Sequence, residues 1–308
     1  MHRHAEPRLV RIGTPDGELF LPMAIERGRF GVRLLGFPDG GLADHAAPIV
    51  ARGATPVPAA SWPALARRIA RQAGADVLDW RHLTPRVSRQ DNPLYGPACR
   101  RTPYSTHALA LTGSWQDFCR DRLSTSHLAT SRRKWRQLGQ SGSARFVIAR
   151  TVDEALGLLE TTVRLKTAQC ADTGSRNLLA QAAYRDFFTR MTRRHLASGL
   201  VRVAALQIDD TVLATHWGCV HRGRFVWLMP AYDPAWHRVS PGRLLLEHLL
   251  QRCFDDGLDA FDFTIGDEPY KAVYADAHER LGRVCHARTP LGHAYAFRAR
   301  REGLPPDA

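Results

Sequence analysis

Apolar and polar positions alternate in the same order in two separate stretches of the chain. Leu9 to Leu35 reads LVRIGTPDGELFLPMAIERGRFGVRLL, and Leu200 to Met229 reads LVRVAALQIDDTVLATHWGCVHRGRFVWLM. Each opens as a short apolar strand, turns at Asp-Gly or Asp-Asp, continues as a second strand, and reaches Arg-Gly-Arg-Phe before a third. Alternation interrupted by such turn residues predicts an antiparallel meander. Two copies of it predict a duplicated domain. Between the copies lie a Pro/Ala-rich stretch (residues 53–65), a helix over Pro63–Ala73, a strand over Ala75–Trp80 and a Pro- and Gly-containing loop over Asn92–Pro103. Residues 115–140 put Trp115, Phe118, Leu123, Leu128, Trp135 and Leu138 on apolar positions of a helical connection.

The second half has a clearer order. A strand over Arg145–Ala149 precedes a helix over Val152–Lys166, whose Ala155, Leu156, Leu158, Leu159, Val163 and Leu165 fall largely on one side. A second helix, Gln181–Ser198, is closed by Gly199, and the meander follows to Ala231. Ser240 then stands where a cap is wanted, Pro241 suits a first helical turn, and Leu244, Leu245, Leu249 and Leu250 form a buried stripe before Gly257. The strand Ala260–Ile265 comes directly after. Strand, capped helix and strand make a βαβ crossover, so the strands on either side of this helix are predicted to be parallel neighbours.

The chain has 308 residues, 44% of them hydrophobic, which is enough for two domains with real cores. No apolar run approaches the ~20 residues a membrane-spanning helix needs. The N-terminal segment lacks a stretch of signal-peptide length, so a cytoplasmic location is expected. The six cysteines show no CxxC pair and read as free thiols, and no HxxxH or HExxH spacing suggests a catalytic metal. The net charge of +13 would suit a polyanionic partner, but only Lys134, Lys166 and Lys271 among the 43 basic residues are lysines. Such an arginine excess also fits the coding bias of a high-GC genome. The densest run, Ser131-Arg132-Arg133-Lys134-Trp135-Arg136, is either a contact for phosphate or a membrane surface, or one solvated helix face.

The loop Tyr232–Arg243 joins a strand to a helix N-terminus, where unpaired N–H groups and the helix dipole favour an anion. Gly242 allows close backbone approach, Arg238 or Arg243 adds charge, and Gly242, Arg243 and Leu244 supply the donors because Pro241 has none. The same residues also suit an ordinary βα connection whose Pro and Gly only shape the turn.

The segments Tyr232-Asp233-Pro234, Ser240-Pro241-Gly242, Phe261-Asp262-Phe263 and Gly266-Asp267-Glu268-Pro269-Tyr270-Lys271 together resemble the CelD/BcsL-like (BioF2-like) acetyltransferases. These are relatives of the FemAB transferases within the GNAT superfamily. Arg164-Leu165-Lys166 and Gly174 upstream fit the same pattern, which is detailed over residues 115–290 and looser over 8–50. The resemblance implies an α/β fold with a mixed (α+β) sheet in two tandem GNAT-like lobes. The expected division is an N-terminal lobe over 1–112 lacking its opening helices, a helical connection over 113–143 and a complete lobe over 144–308. It implies acyl transfer from acetyl-CoA or another acyl-CoA to an amine or sugar-derived acceptor, in exopolysaccharide or cell-envelope synthesis, with no metal. It places the acyl-CoA at Met229, Ala231, Arg238, Ser240, Gly242, Arg243 and Leu244.

Transfer by direct attack on a thioester needs a base for the acceptor and a proton for the leaving thiolate. Tyr270 suits the proton donor, or a structural hydrogen bond. Glu268 and Asp267 suit the base, or a cap on the following turn. Lys271 either neutralises an anionic acceptor or pairs with Asp262 or Glu268, and Lys166 is open to the same two roles. Asp233 is expected to shape its loop through an Asx-type turn. His216, on a meander strand beside Trp217, is either an acceptor-side base or a packed residue. Two rival functions remain at this stage: a FemAB-like transferase using aminoacyl-tRNA, and a catalytically inactive GNAT-fold binding module.

Overall fold

The computed structural model describes residues 5–87, 90–175 and 177–301. The start of the expected N-terminal lobe and the end of the expected C-terminal lobe therefore lie outside the described residues. In chain order the elements are β1 (Glu6–Thr14), β2 (Gly17–Arg27), β3 (Arg33–Gly36), β4 (Ile49–Val50), α1 (Trp62–Gln72), β5 (Val77–Leu83), β6 (Arg86–Val87), β7 (Gln90–Asp91) and β8 (Arg100–Ala110). There follow α2 (Trp115–Arg122), α3 (Thr125–Ser141), β9 (Ala144–Ile148), α4 (Val152–Thr173), α5 (Ala182–His195), β10 (Val201–Ile208), β11 (Thr211–His221) and β12 (Arg224–Tyr232). The chain closes with α6 (Pro241–Asp255), β13 (Ala260–Ile265), α7 (Lys271–Tyr274), β14 (Ala277–Ala287) and α8 (Pro290–Arg301).

Two compact units result. One takes the residues up to 106, 265–267 and those from 278 on; the other takes 107–264 and 268–277. Both predicted meanders are present, one in each unit. In the first unit β1, β2 and β3 pair antiparallel in turn, and β5 then joins β3 in parallel after α1. In the second, β10, β11 and β12 pair antiparallel, and β13 joins β12 in parallel after α6. Meander, helix and parallel strand thus occur twice, which is what a duplicated α/β lobe requires.

The first unit is closed around Leu19, Leu21, Met23, Leu35, Leu78 and Trp80. The deeply buried carboxylate of Asp79 sits between Arg81 at 2.7 Å and Arg283 at 2.6 Å. Burial opposes its charge, yet the two guanidiniums win and hold the carboxyl below its usual range.

In the second unit, helix starts follow from local sequence. Ser114 with Asp117 and Thr151 with Glu154 form reciprocal capping boxes at α2 and α4. The helical connection divides at Leu123 because Ser124 accepts from the His127 N–H and starts α3. Strand alternation then sends neighbouring side chains of β11 to opposite faces. Thr215 and Trp217 meet Thr162 of α4 and Thr192 of α5, each at 2.9 Å. Ala214 and His216 face the other way, with Phe225, Trp227 and the leucines of α6. Leu244, Leu245, Leu246, Leu249 and Leu250 of α6 are all buried, each contributing about 1.5–3 kcal/mol.

His216 is fully buried, stacked 4.1 Å from Trp227, and neither ring nitrogen has a hydrogen-bond partner. Burial alone pushes its pKa well below the ordinary 6.5, so the folded ring is neutral. The unfolded chain takes up a proton near pH 6.5 that the folded chain refuses. The stability this neutral ring contributes is therefore complete above about pH 6.5 and is lost as the pH falls below it. His216→Leu should flatten the fall in urea-derived stability between pH 6.5 and 5 by up to ~1.4 kcal/mol per pH unit. An unchanged pH dependence in the variant would contradict this.

Candidate functional site

The βαβ crossover of the second unit is the feature around which the candidate residues gather. The parallel ladder between β12 and β13 covers only Arg224, Phe225 and Val226 against Ala260, Phe261 and Asp262. Beyond that point β12 continues to Tyr232 without a strand beside it on this side. Two local devices end the pairing.

The first device is on β13. Asp262 is buried and ion-paired to Arg224 at 3.1 Å, and its Oδ1 accepts the Thr264 N–H at 2.8 Å. That N–H is thus turned back onto its own strand. Thr264 adopts φ 62, which for a β-branched residue costs of order 1–3 kcal/mol. Its hydroxyl reaches the Trp227 carbonyl at 3.4 Å, so the outermost link between the two strands comes from a side chain.

The second device is on β12. Trp217 pairs with Met229 but Cys219 pairs with Val226, so Trp227 and Leu228 together oppose Gly218. This is a β-bulge, which leaves an extra residue unpaired and re-aims the strand beyond it. Leu228 has no register partner on β11 or on β13. Gly218 is required because an added Cβ would lie 2.4 Å from the Val226 carbonyl and 2.3 Å from the His216 ring.

Past the bulge the backbone directions follow from the ladder. Asp233 donates its N–H to Leu213 at 2.8 Å, which makes Ala214 and Tyr232 a non-bonded pair. Alternation then commits the backbone groups of Met229 and Ala231 to Trp217 and Thr215 of β11, and both side chains are buried. Pro230 and Tyr232 direct their backbone groups toward the opening. Lys166 of α4 donates to the Pro230 carbonyl at 3.1 Å and Gln169 to the Tyr232 carbonyl at 3.0 Å. Burial lowers the pKa of Lys166, while Cys170 and Glu268 oppose that shift.

The loop after β12 makes the expected Asx turn, with Asp233 Oδ1 accepting from the Ala235 N–H at 2.9 Å. It contains a 3-10 segment, Pro234–Val239, where the sequence suggested an open loop. Ser240 occupies the N-cap position of α6 but in the left-handed region, φ 50, and its side chain makes no cap hydrogen bond. The expected Ser cap is therefore absent. The Ser240 hydroxyl instead accepts from Lys134, which α3 brings to the helix start. Of the three expected donors, Arg243 and Leu244 direct their N–H groups to the Ser240 carbonyl, and only Gly242 is left without a backbone acceptor. Arg238 is exposed.

Arg243 is anchored by a compact network. Its guanidinium contacts Glu247 at 3.0 Å, the Ser131 hydroxyl at 2.7 Å and the His127 carbonyl at 2.9 Å. Glu247 also accepts from His127 and from the Tyr274 phenol, each at 2.9 Å. Desolvation lowers the pKa of Lys134, and the charges of Arg243 and Arg133 push it further down. The run over 131–136 is thus not a single solvated face, because Lys134 and Ser131 serve the start of α6.

The residues of the GDEPYK segment separate. Asp267 is exposed and falls among the residues of the first unit. Glu268 is exposed and paired with Lys271 at 2.9 Å, whose side chain is buried. Asp262, the other partner considered for Lys271, is held by Arg224. Tyr270 is partly exposed, and burial of its phenol pushes the pKa up to about 12. The Trp227 indole N–H lies near enough to oppose that shift, without meeting hydrogen-bond geometry. The phenol is therefore protonated at neutral pH. Among the described residues no group of three or more His, Cys, Asp or Glu could hold a metal ion, and no helix is long and apolar enough to cross a membrane.

Sequence reasoning did not single out Leu228, Thr264, Glu247 or Tyr274, and it named Lys134 without placing it at the start of α6. The interrupted register opposite Gly218 is visible only once both strands are placed.

Residues 125–272 match the family model described as the acetyltransferase (GNAT) domain. No curated protein matches the chain. Among solved structures, FemX superposes with a TM-score of 0.61 at 10% identity, covering 94% of this chain and 90% of its own. L-PGS from Bacillus licheniformis gives 0.55 at 12% identity, covering 96% and 90%. The C-terminal domain of an Agrobacterium fabrum protein assigned as a lysylphosphatidylglycerol synthetase gives 0.59 at 14% identity, covering 95% and 87%. These likenesses are of fold, and they agree with the mixed α/β architecture of each unit. Over residues 125–272 the chain is thus similar to the acetyltransferase (GNAT) domain, and in fold it is similar to FemX and L-PGS.

Proposed function

We propose that the chain is a GNAT-type acyltransferase that moves an acyl group from acyl-CoA to an amine or sugar-derived acceptor, as CelD/BcsL-like proteins are expected to do. The observation that carries this reading is the end of the β12–β13 ladder after three residues, with the bulge residue Leu228 left without a register partner on either neighbouring strand. An opening of this kind suits a narrow thioester-bearing arm lying along β12.

Each part of such a donor meets a suitable group. The Gly242 N–H, the start of the α6 dipole and Lys134 suit a diphosphate. The Leu228 N–H is the donor in place to polarise a thioester carbonyl, as preorganised backbone amides do at acyl-transfer sites. Acyl-CoA supplies the activated acyl group when bound. Tyr270, kept protonated by burial, holds the proton for the departing thiolate. Lys166 fixes the edge of β12 through the Pro230 carbonyl. Glu268 is committed to Lys271 and is assigned to structure. His216 is assigned to packing.

The net charge of +13 keeps an aminoacyl-tRNA donor as the second reading. Calorimetric titration with acetyl-CoA separates the two: binding is expected, and no heat at millimolar ligand with folded protein contradicts the acyl-CoA reading. Salt-dependent tRNA binding in that case supports the second.

Tyr270→Phe keeps the ring and deletes the proton, so turnover should fall ~100- to 10,000-fold with the melting temperature unchanged. Turnover equal to the parent's assigns Tyr270 to structure. Gly242→Val should instead raise the KM for the acyl donor, since even a Cβ there lies 3.3 Å from the Tyr232 ring. A change in kcat at constant KM would contradict that role.

A further inference from the structure

Helices α2, α3 and α6 enclose a groove of about 830 Å³ in the second unit that the acyl-transfer reading leaves unused. Its walls include Trp115, Leu128, Trp135 and Leu244, and Arg132 and Arg136 stand on its rim. Trp115 is braced against Phe118 at 5.5 Å, and Trp135 against His248 at 4.5 Å. The indoles are thus held by packing, at two conformational freedoms each. Helix α3 contains no Asp or Glu, and Arg132 and Arg136 have no carboxylate partner among the described residues. Arg120, at the other wall, is already matched by Asp117 and Asp121 at 2.8 Å. Glu247, also in the lining, is held by Arg243 and His127. What remains is an aromatic-walled cavity with two uncompensated guanidiniums.

The groove adjoins the start of α6. Ser131 lines it while bonding Arg243, and Lys134, which bonds Ser240, is the residue before Trp135. We infer that this groove binds the 3′-phosphorylated adenosine end of the acyl donor, the purine against Trp135 and Trp115 and the phosphate on Arg132 and Arg136. This rests on the acyl-CoA reading and adds a specificity site built by helices that precede β9. Stacking of a base on an indole and a guanidinium–phosphate contact are the pairings this lining offers. A groove of this size lies within the ~300–1,000 Å³ range of small-molecule sites.

The test is calorimetric titration of CoA and dephospho-CoA, which differ only in the 3′-phosphate, into the parent and an Arg132→Ala/Arg136→Ala double variant. Both arginines are exposed, so the variant should fold, and its melting temperature checks this. The parent should bind CoA roughly 10- to 100-fold more tightly than dephospho-CoA, as loss of a charge-assisted contact implies. The double variant should bind the two alike, with its dephospho-CoA affinity unchanged. Equal binding of both ligands by the parent, or a preference retained in the variant, overturns the groove assignment while leaving the acyl-CoA reading intact. Binding of phosphatidylglycerol vesicles through these arginines with no preference for CoA would assign the groove to a membrane and also overturn it. No binding of either nucleotide by the folded parent would remove the acyl-CoA reading itself.

Discussion

The candidate site depends on where one parallel ladder stops. Asp262 is drawn inward by Arg224 and turns the Thr264 N–H onto its own carboxylate, so β13 has no backbone donor left for β12 at that position. On the other strand, the bulge opposite Gly218 adds one residue and reverses which backbone groups face β11. Met229 and Ala231 are therefore consumed by the meander, while Pro230 and Tyr232 turn to the open side. Proline at 230 is compatible with this because no ladder hydrogen bond is demanded there. The strain at Thr264 is retained because the buried ion pair and the packed strand over-determine it.

A second constraint acts on α6. The leucine face fixes the helix on the sheet, while its first turn is governed by polar contacts from α3. Lys134 occupies the hydroxyl of Ser240, and Arg243 is locked by Glu247 and Ser131. Positive charge is thereby concentrated at the helix start without a buried unpaired cation. His127, also of α3, and Tyr274 of α7 complete the network. The cost of desolvating Glu247 is offset by several donors converging on one carboxylate oxygen, the arrangement in which a half-buried charge is tolerated.

Much of the architecture was legible because it is written in local patterns. The alternating stretches gave both meanders, and the leucine stripe with Pro241 gave the crossover helix and the parallel neighbour after it. The helix over Val152–Lys166 in fact runs on to Thr173, since nothing before Gly174 stops it. The site was less legible. Ser240 has the right residue type for a cap, but its left-handed backbone points the hydroxyl at Lys134, a residue 106 positions away. Glu268 and Lys271 formed one of the two pairings weighed from spacing. The bulge depends on register between strands and cannot be read from either strand alone. The grouping of residues beyond 278 with the first unit likewise rests on pairing of β14 with β5, some two hundred residues earlier in the chain.

The central claim is that the Leu228 amide is unpaired in the free protein and becomes a donor to the acyl group. Amide hydrogen exchange measured by NMR, residue by residue, addresses this directly. The account predicts slow exchange at Met229 and Ala231 with or without ligand, and fast exchange at Leu228 that slows when acetyl-CoA is added to saturation. A Leu228 amide already as protected as Met229 in the free protein, or one indifferent to saturating acetyl-CoA, would contradict it.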